Sequence, residues 1–188
     1  MNKVLILFIT AIFVLVLAVY FIQKSKYKQI VINSPTIIQT TSMITVTSLA
    51  FKQGEMIPTK YTCDGENVNP PITIADVPIN TKSLTLIVDD PDAPVGSWNH
   101  WLVWNIDPAT KDINENSVPA GAVLGTNDFG KLGYGGPCPP SGTHRYIFKV
   151  FALDTILNVP RGAKREKLET AMKNHIINRG ELMGKYSR

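Results

Sequence analysis

The hydrophobic pattern divides the chain in two. It opens on Val4–Ile22, a run without a charge in which only Thr10 and Tyr20 carry polar groups. At about 1.5 Å per residue a helix of this run nearly matches the roughly 30 Å hydrocarbon core of a bilayer. A backbone in hydrocarbon must satisfy its own hydrogen bonds, which favours helix. The run predicts a single-pass membrane anchor over residues 1–28, Lys24, Lys26 and Lys28 forming its basic flank. The alternative is a cleaved signal peptide with a small-residue site at Val16-Leu17-Ala18. Residues 29–44, rich in Thr, Ser and Ile, read as a stalk. Counted literally, the lysines would keep the C-terminal domain in the cytoplasm. The very short segment before the run is instead how exported chains begin, and the reading adopted is an extracytoplasmic domain.

From residue 45 to 188 the pattern changes. Short apolar runs, Thr45–Phe51, Ser83–Val88, Trp101–Ile106 and Tyr146–Leu153, alternate with Pro/Gly/Asn/Asp clusters. Such spacing predicts antiparallel strands in a sandwich or barrel. Ser83–Val88 is nearly all apolar, as a central strand would be. In Tyr146–Leu153, Tyr146, Phe148, Val150 and Ala152 share one face, and Ile147, Lys149, Phe151 and Leu153 the other. Leu168, Ala171, Met172, His175 and Ile176 fall at helical spacing, predicting a helix over Ala163–Asn178 that ends at Gly180. His175 then lies on its apolar stripe, a packed or boundary histidine.

Charge adds one exclusion. The net charge of +4 comes from the first 28 residues, which hold four of the 19 basic residues and none of the 15 acidic ones. The remainder is neutral, so a basic nucleic-acid-binding face has no support. Two cysteines are too few for a disulfide-built miniprotein or a four-cysteine zinc site.

Two motifs are decoys. Gly125-Thr-Asn-Asp-Phe-Gly130-Lys131 has the frame of a phosphate-binding loop, but Leu132 stands where Ser or Thr should ligate magnesium, and no strand–loop–helix context surrounds it. Gly133, Gly135 and Gly136 form a glycine-rich turn without a βαβ unit. Two other segments carry chemistry. In Asp89-Asp90-Pro91-Asp92-Ala93-Pro94, followed by Trp98-Asn99-His100-Trp101, acids come directly after a buried strand and prolines stiffen the loop. Asp90 and Asp92 would point alike if that loop stays extended. In the second segment a Gly/Pro loop from Gly133 feeds a strand opening on His144, with Tyr146 on the same face. Imidazoles, a phenol and glycine amides suit an anion, and the three tryptophans between 98 and 104 suit aromatic walls. The plain alternatives are turn aspartates capping local amides and a loop with surface histidines.

Asp90-Pro-Asp-Ala-Pro94 with His100-Trp101, and Gly136-Pro-x-Pro-Pro140 with His144-Arg-Tyr146, resemble the two signature regions of the phosphatidylethanolamine-binding protein family, also called Raf-kinase-inhibitor-like proteins. Tyr61-Thr-Cys-Asp-Gly-Glu-Asn67 and Glu181-Leu-Met-Gly-Lys-Tyr186 resemble its small prokaryotic branch. The resemblance implies a mainly β fold, a Greek-key antiparallel sandwich with one or two peripheral helices, to which this chain adds the N-terminal membrane helix. It implies a cavity for phosphate, a phosphoryl head group or a similar small anion, without metal or other cofactor. By that likeness Asp90 is the cavity acid and His100 the first cavity histidine. Trp98 and Pro94 form wall and rim, Gly136, Pro139 and Pro140 shape the glycine/proline side, and His144 with Tyr146 complete the anion site. Cys138, between two of the prolines, departs from relatives with another residue there. The family fold would bring Cys63 and Cys138 near one end of the sandwich, where they could form a disulfide in an exported domain. The alternatives are two buried small apolar residues or a reactive Cys138 beside the pocket.

The implied function is a non-catalytic, regulatory binding module that takes a small anionic or phosphorylated ligand or docks on a kinase or protease. The alternative is a small hydrolase or isomerase using Asp90, His100 and His144 for acid–base work. Ser97 and Ser141 lack a nucleophile context. Asp90, Asp92, His100 and His144 are also the ligand types of a metal hydrolase. Asp90 makes sense beside an anion if it orients a histidine and keeps it charged.

Overall fold

A computed structural model of the chain describes residues 3–32 and 43–188. Two compact units separate at Thr40/Thr41. In the first, Lys3–Ile32 is one helix, α1. Its side chains are described for residues 12–27, apolar and exposed from Ile12 to Ile22 and then taking in Lys24 and Lys26. Among the described residues no helix is long and apolar enough to cross a membrane. A span needs about 20 apolar residues. The expected anchor over 1–28 is therefore without support, and with it the single-pass membrane localisation. The expectation leans on residues 4–11, which lie outside those whose side chains are described. Of the expected stalk, residues 33–42 lie outside the described residues.

The second unit is built on eight strands: β1 Thr45–Thr47, β2 Ile72–Ala75, β3 Ser83–Asp90, β4 Trp98–Ile106, β5 Asp112–Ile113, β6 Val123–Leu124, β7 Thr143–Leu153 and β8 Ile176–Ser187. They form a three-stranded sheet, β1-β2-β5, and a five-stranded sheet, β6-β4-β3-β7-β8. Every strand pairing in both is antiparallel. Neither sheet closes on itself. Side-chain alternation explains the layers. Tyr146, Phe148, Val150 and Ala152 of β7, Trp101 and Val103 of β4 and Leu84, Leu86 and Val88 of β3 meet Val46, Ile72, Ile74 and Ile113 from the smaller sheet in the main core. The other face of the large sheet, Ile87, Leu102, Trp104 and Leu153, is covered by Leu168 and Met172 of helix α2, Arg165–Met172, and by Leu157 and Val159. β3 is buried on both faces, hence its near-continuous apolar sequence.

The helix is shorter than its periodicity suggests. It ends at Met172, Asn174 takes a left-handed φ of 68°, and Ile176 already pairs with Leu153. Eleven register pairs to β7 outweigh a weak helical propensity. His175 lies in the connection, its Nδ1 2.8 Å from Asp154 Oδ1 and its side chain partly exposed.

Candidate functional site

A bulge in the ladder builds the site. Val88 pairs with Trp101 and Asp89 with Asn99, so β4 carries one extra residue, His100. Strict alternation would put His100 on the face opposite Trp101. The bulge re-aims it: its ring lies edge-on to Tyr146, centroids 5.1 Å apart, in the core that also holds Trp101. Backbone groups freed at the bulge are taken up by the loop that frames the decoy phosphate motif. Asp128 Oδ2 accepts the Asn99 N–H (2.6 Å), and the Asp128 N–H donates to Asn99 O (3.0 Å). The Gly135 N–H donates to His100 O (2.9 Å).

His100 Nδ1 donates to Gly135 O (2.6 Å). Burial holds its imidazole below the usual histidine pKa, outweighing the Gly135 carbonyl and the Asp90 charge, which pull the other way. His100 is neutral at pH 7, with its Nδ1–H spent on Gly135 O. His144, near the start of β7, donates from Nδ1 to Asp90 Oδ2 (2.7 Å), both side chains being nearly buried. Asp90 Oδ1 accepts the Asp92 N–H (2.8 Å). The carboxylate is thus engaged on both oxygens, which blunts its repulsion of an anion. The Tyr146 phenol is pushed well above its usual pKa by burial, with the Asp90 charge beside it, and stays an O–H donor.

Asp90, His100 and His144 converge on a cavity of about 190 Å³, walled by Ala93, Pro94, Val95, Trp98, Phe129, Cys138 and Pro140. Of the residues expected there, Asp90, Pro94, Trp98, His100, Pro140 and His144 line it. Tyr146 packs against His100, while Gly136 and Pro139 are buried in the wall segment without lining the cavity. Trp98 alone of the tryptophans reaches it; Trp101 and Trp104 are core on opposite faces of the sheet. Asp92 does not point with Asp90. It is turned to Arg145, whose Nε and Nη2 reach its two oxygens (2.9 and 2.6 Å), and this guanidinium holds the Asp92 carboxyl down at about 2. A metal set of Asp90, Asp92, His100 and His144 is therefore not assembled. Ser97 gives its hydroxyl to Asp89, so it is not poised as a nucleophile toward either imidazole.

Among the wall residues that the sequence did not suggest is Phe129. It stands edge-on to Trp98 (5.5 Å) and His100 (5.3 Å), over Gly135, where a Cβ would fall 2.7 Å from its ring. Asn127, buried beside it, accepts the Phe129 and Lys131 N–H groups and donates to Gly133 O. The segment 134–138, which brings Cys138 to the cavity, is strapped to the segment Tyr61–Asn67. Cys63 and Cys138 form a disulfide, Cα atoms 5.5 Å apart. Cys63 N–H donates to Pro137 O (3.1 Å), Gly136 N–H to Asn67 Oδ1 (2.7 Å) and Tyr134 O–H to Tyr61 O (2.9 Å).

Comparison with known proteins gives a consistent result. Residues 47–187 match the family described as phosphatidylethanolamine-binding protein. A UPF0098 protein of Pyrococcus horikoshii is 50% identical over 149 residues, covering 75% of each chain. Another, of Methanothermobacter thermautotrophicus, is 49% identical over 144 residues, covering 74% of this chain and 95% of that one. Among solved structures, CT736 of Chlamydia trachomatis, a phosphatidylethanolamine-binding protein homolog, superposes with a TM-score of 0.75 at 44% identity, covering 78% of this chain and 98% of that one. E. coli YbcL, described as a new member of the mammalian family, gives a TM-score of 0.74 at 35% identity, covering 78% and 99%.

Proposed function

The chain belongs to the phosphatidylethanolamine-binding protein family, and from that premise we propose that its domain is a binding module for a small oxyanion, a phosphate or phosphoryl head group, held in the Asp90/His100/His144 cavity. The observation that carries this reading is that both imidazoles spend Nδ1 on the protein, on Gly135 O and on Asp90, and so keep Nε2 for a ligand. The apolar walls suit the remainder of a head group. Titration calorimetry of the full chain with inorganic phosphate tests it. His144→Ala removes a charge-assisted hydrogen bond and should weaken binding by about 10- to 100-fold. Absence of heat with wild-type protein, or equal affinity in the variant, sinks the proposal.

No lysine or arginine is among the residues lining the cavity. On this reading the positive charge that an anion wants is supplied within the cavity by imidazolium. The ionisable groups around His100 are Asp90 and Asp128, which favour its protonation, together with His144 and Tyr146. Free His100 is neutral at pH 7, bound anion favours its imidazolium, and binding is therefore accompanied by proton uptake. Sulfate, whose own charge stays fixed, should bind more tightly as pH falls from about 8 to 5, by up to about tenfold per pH unit. A flat profile over that range would show that His100 does not take up the proton.

The Cys63–Cys138 bond supports an oxidising compartment for this domain, consistent with export.

A further inference from the structure

β3 ends on two successive aspartates, and successive strand residues address opposite faces. Asp90 goes to the cavity. Asp89, 1% exposed, goes to the other face, where Lys149 Nζ lies 2.9 Å away and Arg165 Nη1, from the first residue of α2, donates to Oδ2 (3.0 Å). The same Nη1 donates to Ser97 Oγ (3.0 Å), and the Ser97 hydroxyl donates to Asp89 Oδ2 (3.0 Å). Ser97 closes the loop that supplies Ala93, Pro94 and Val95 to the cavity rim. The other end of that loop is held by Asp92 and Arg145. Between these ends Val95 is 78% exposed, and the Gly96 N–H donates back to Ala93 O (2.9 Å).

We propose that Asp89 is a positioning residue for the anion site, acting through Ser97 and Arg165 to hold the rim loop over the cavity. A buried carboxylate between two cations is a poor way to add stability, since desolvation offsets most of the attraction. What this one provides that an apolar residue could not is a fixed acceptor for Ser97. Helix α2 thereby belongs to the ligand site without lining it.

The inference rests on the anion-binding reading for its affinity readout, and a second readout is independent of it. Ser97→Ala removes the rim tether and leaves the Asp89–Lys149–Arg165 cluster in place. We expect phosphate affinity to fall about three- to tenfold, the worth of one hydrogen bond to a charged group, with little change in melting temperature. Hydrogen exchange should show the Gly96 amide losing protection while amides of β8 keep theirs. Arg165→Met should act in the same direction, and Arg165→Lys should restore part of both effects. Wild-type protection at Gly96 in Ser97→Ala overturns the inference, as does unchanged affinity. If wild-type protein takes no phosphate, the functional reading fails, and the exchange result alone still decides the role of Asp89.

Discussion

Replacing Cys63 and Cys138 together by serine should cost the domain about 4 kcal/mol of unfolding free energy and lower its melting temperature by roughly 10–15 °C. The bridge spans a sequence separation of 75 residues, and opening it returns that loop's freedom to the unfolded chain. Three native-state hydrogen bonds run alongside it, from Cys63 N–H, Gly136 N–H and Tyr134 O–H. They keep the wall in register but leave the unfolded chain unconstrained, so they do not substitute for the covalent bond. Thermal melts of the oxidised protein and the double variant decide the matter. A difference of only a degree or two would mean that the bridge contributes little beyond those bonds.

Gly136→Ala should combine a stability loss with a functional one. A Cβ at this position would fall 2.5 Å from Tyr61 O, 2.7 Å from Asn67 Oδ1 and 2.8 Å from Thr62 Cα. Two of these are main-chain atoms, and the third is fixed by its bond to the Gly136 N–H. The wall must back away, at a cost of about 1–3 kcal/mol or more. Its neighbours move with it: Gly135 O, which sets the His100 tautomer, and Cys138, which lines the cavity. Phosphate affinity should fall more than about tenfold, as a charge-assisted contact is misplaced. Calorimetry on the folded variant, with a melt to establish folding, reads both effects. Wild-type affinity in Gly136→Ala would show that the wall does not position the imidazoles.

The strands that the sequence disclosed most clearly carry a long apolar run or a long alternation. β3 and β4 are apolar nearly throughout because both of their faces are buried, in the main core and in the layer under α2, whereas β7 alternates, with Tyr146, Phe148, Val150 and Ala152 in the core and the positions between them partly exposed. β8 escaped because its inward positions, Gly180, Leu182, Gly184 and Tyr186, include two glycines that hide the alternation. Packing demands those glycines. A Cβ at Gly180 would fall 1.8 Å from Ile44 O, and one at Gly184 would fall 2.5 Å from Ile57 Cγ1. The first residues of β8 also complete a helical period begun in α2, which lengthened the expected helix. β2, β5 and β6 are two to four residues long, too short to carry a period.

Of the candidate site, the residues legible in the sequence are Asp90, His100 and His144, which the fold brings to one cavity. The site was not legible where a loop is bent by distant partners. Phe129 belongs to a segment that imitates a phosphate loop, and its real use depends on Asn127 and Asp128 holding β4. The expectation that Asp90 keeps a histidine charged also needs division between the two rings. Asp90 orients His144, whereas burial keeps His100 neutral.

The bulge at His100 has a meaning for descent. Val88 and Trp101 pair on one side of it and Asp89 and Asn99 on the other, so the ladder closes around residue 100 as around a single inserted codon. Both layers of the large sheet keep their side-chain phase on either side. Deleting residue 100 alone would remove the pocket histidine and leave the pairing of Val88 with Trp101 and of Asp89 with Asn99 in phase. An alignment scored on substitutions alone would register that change as a gap in a strand, when it is the gain or loss of a side chain that lines the cavity.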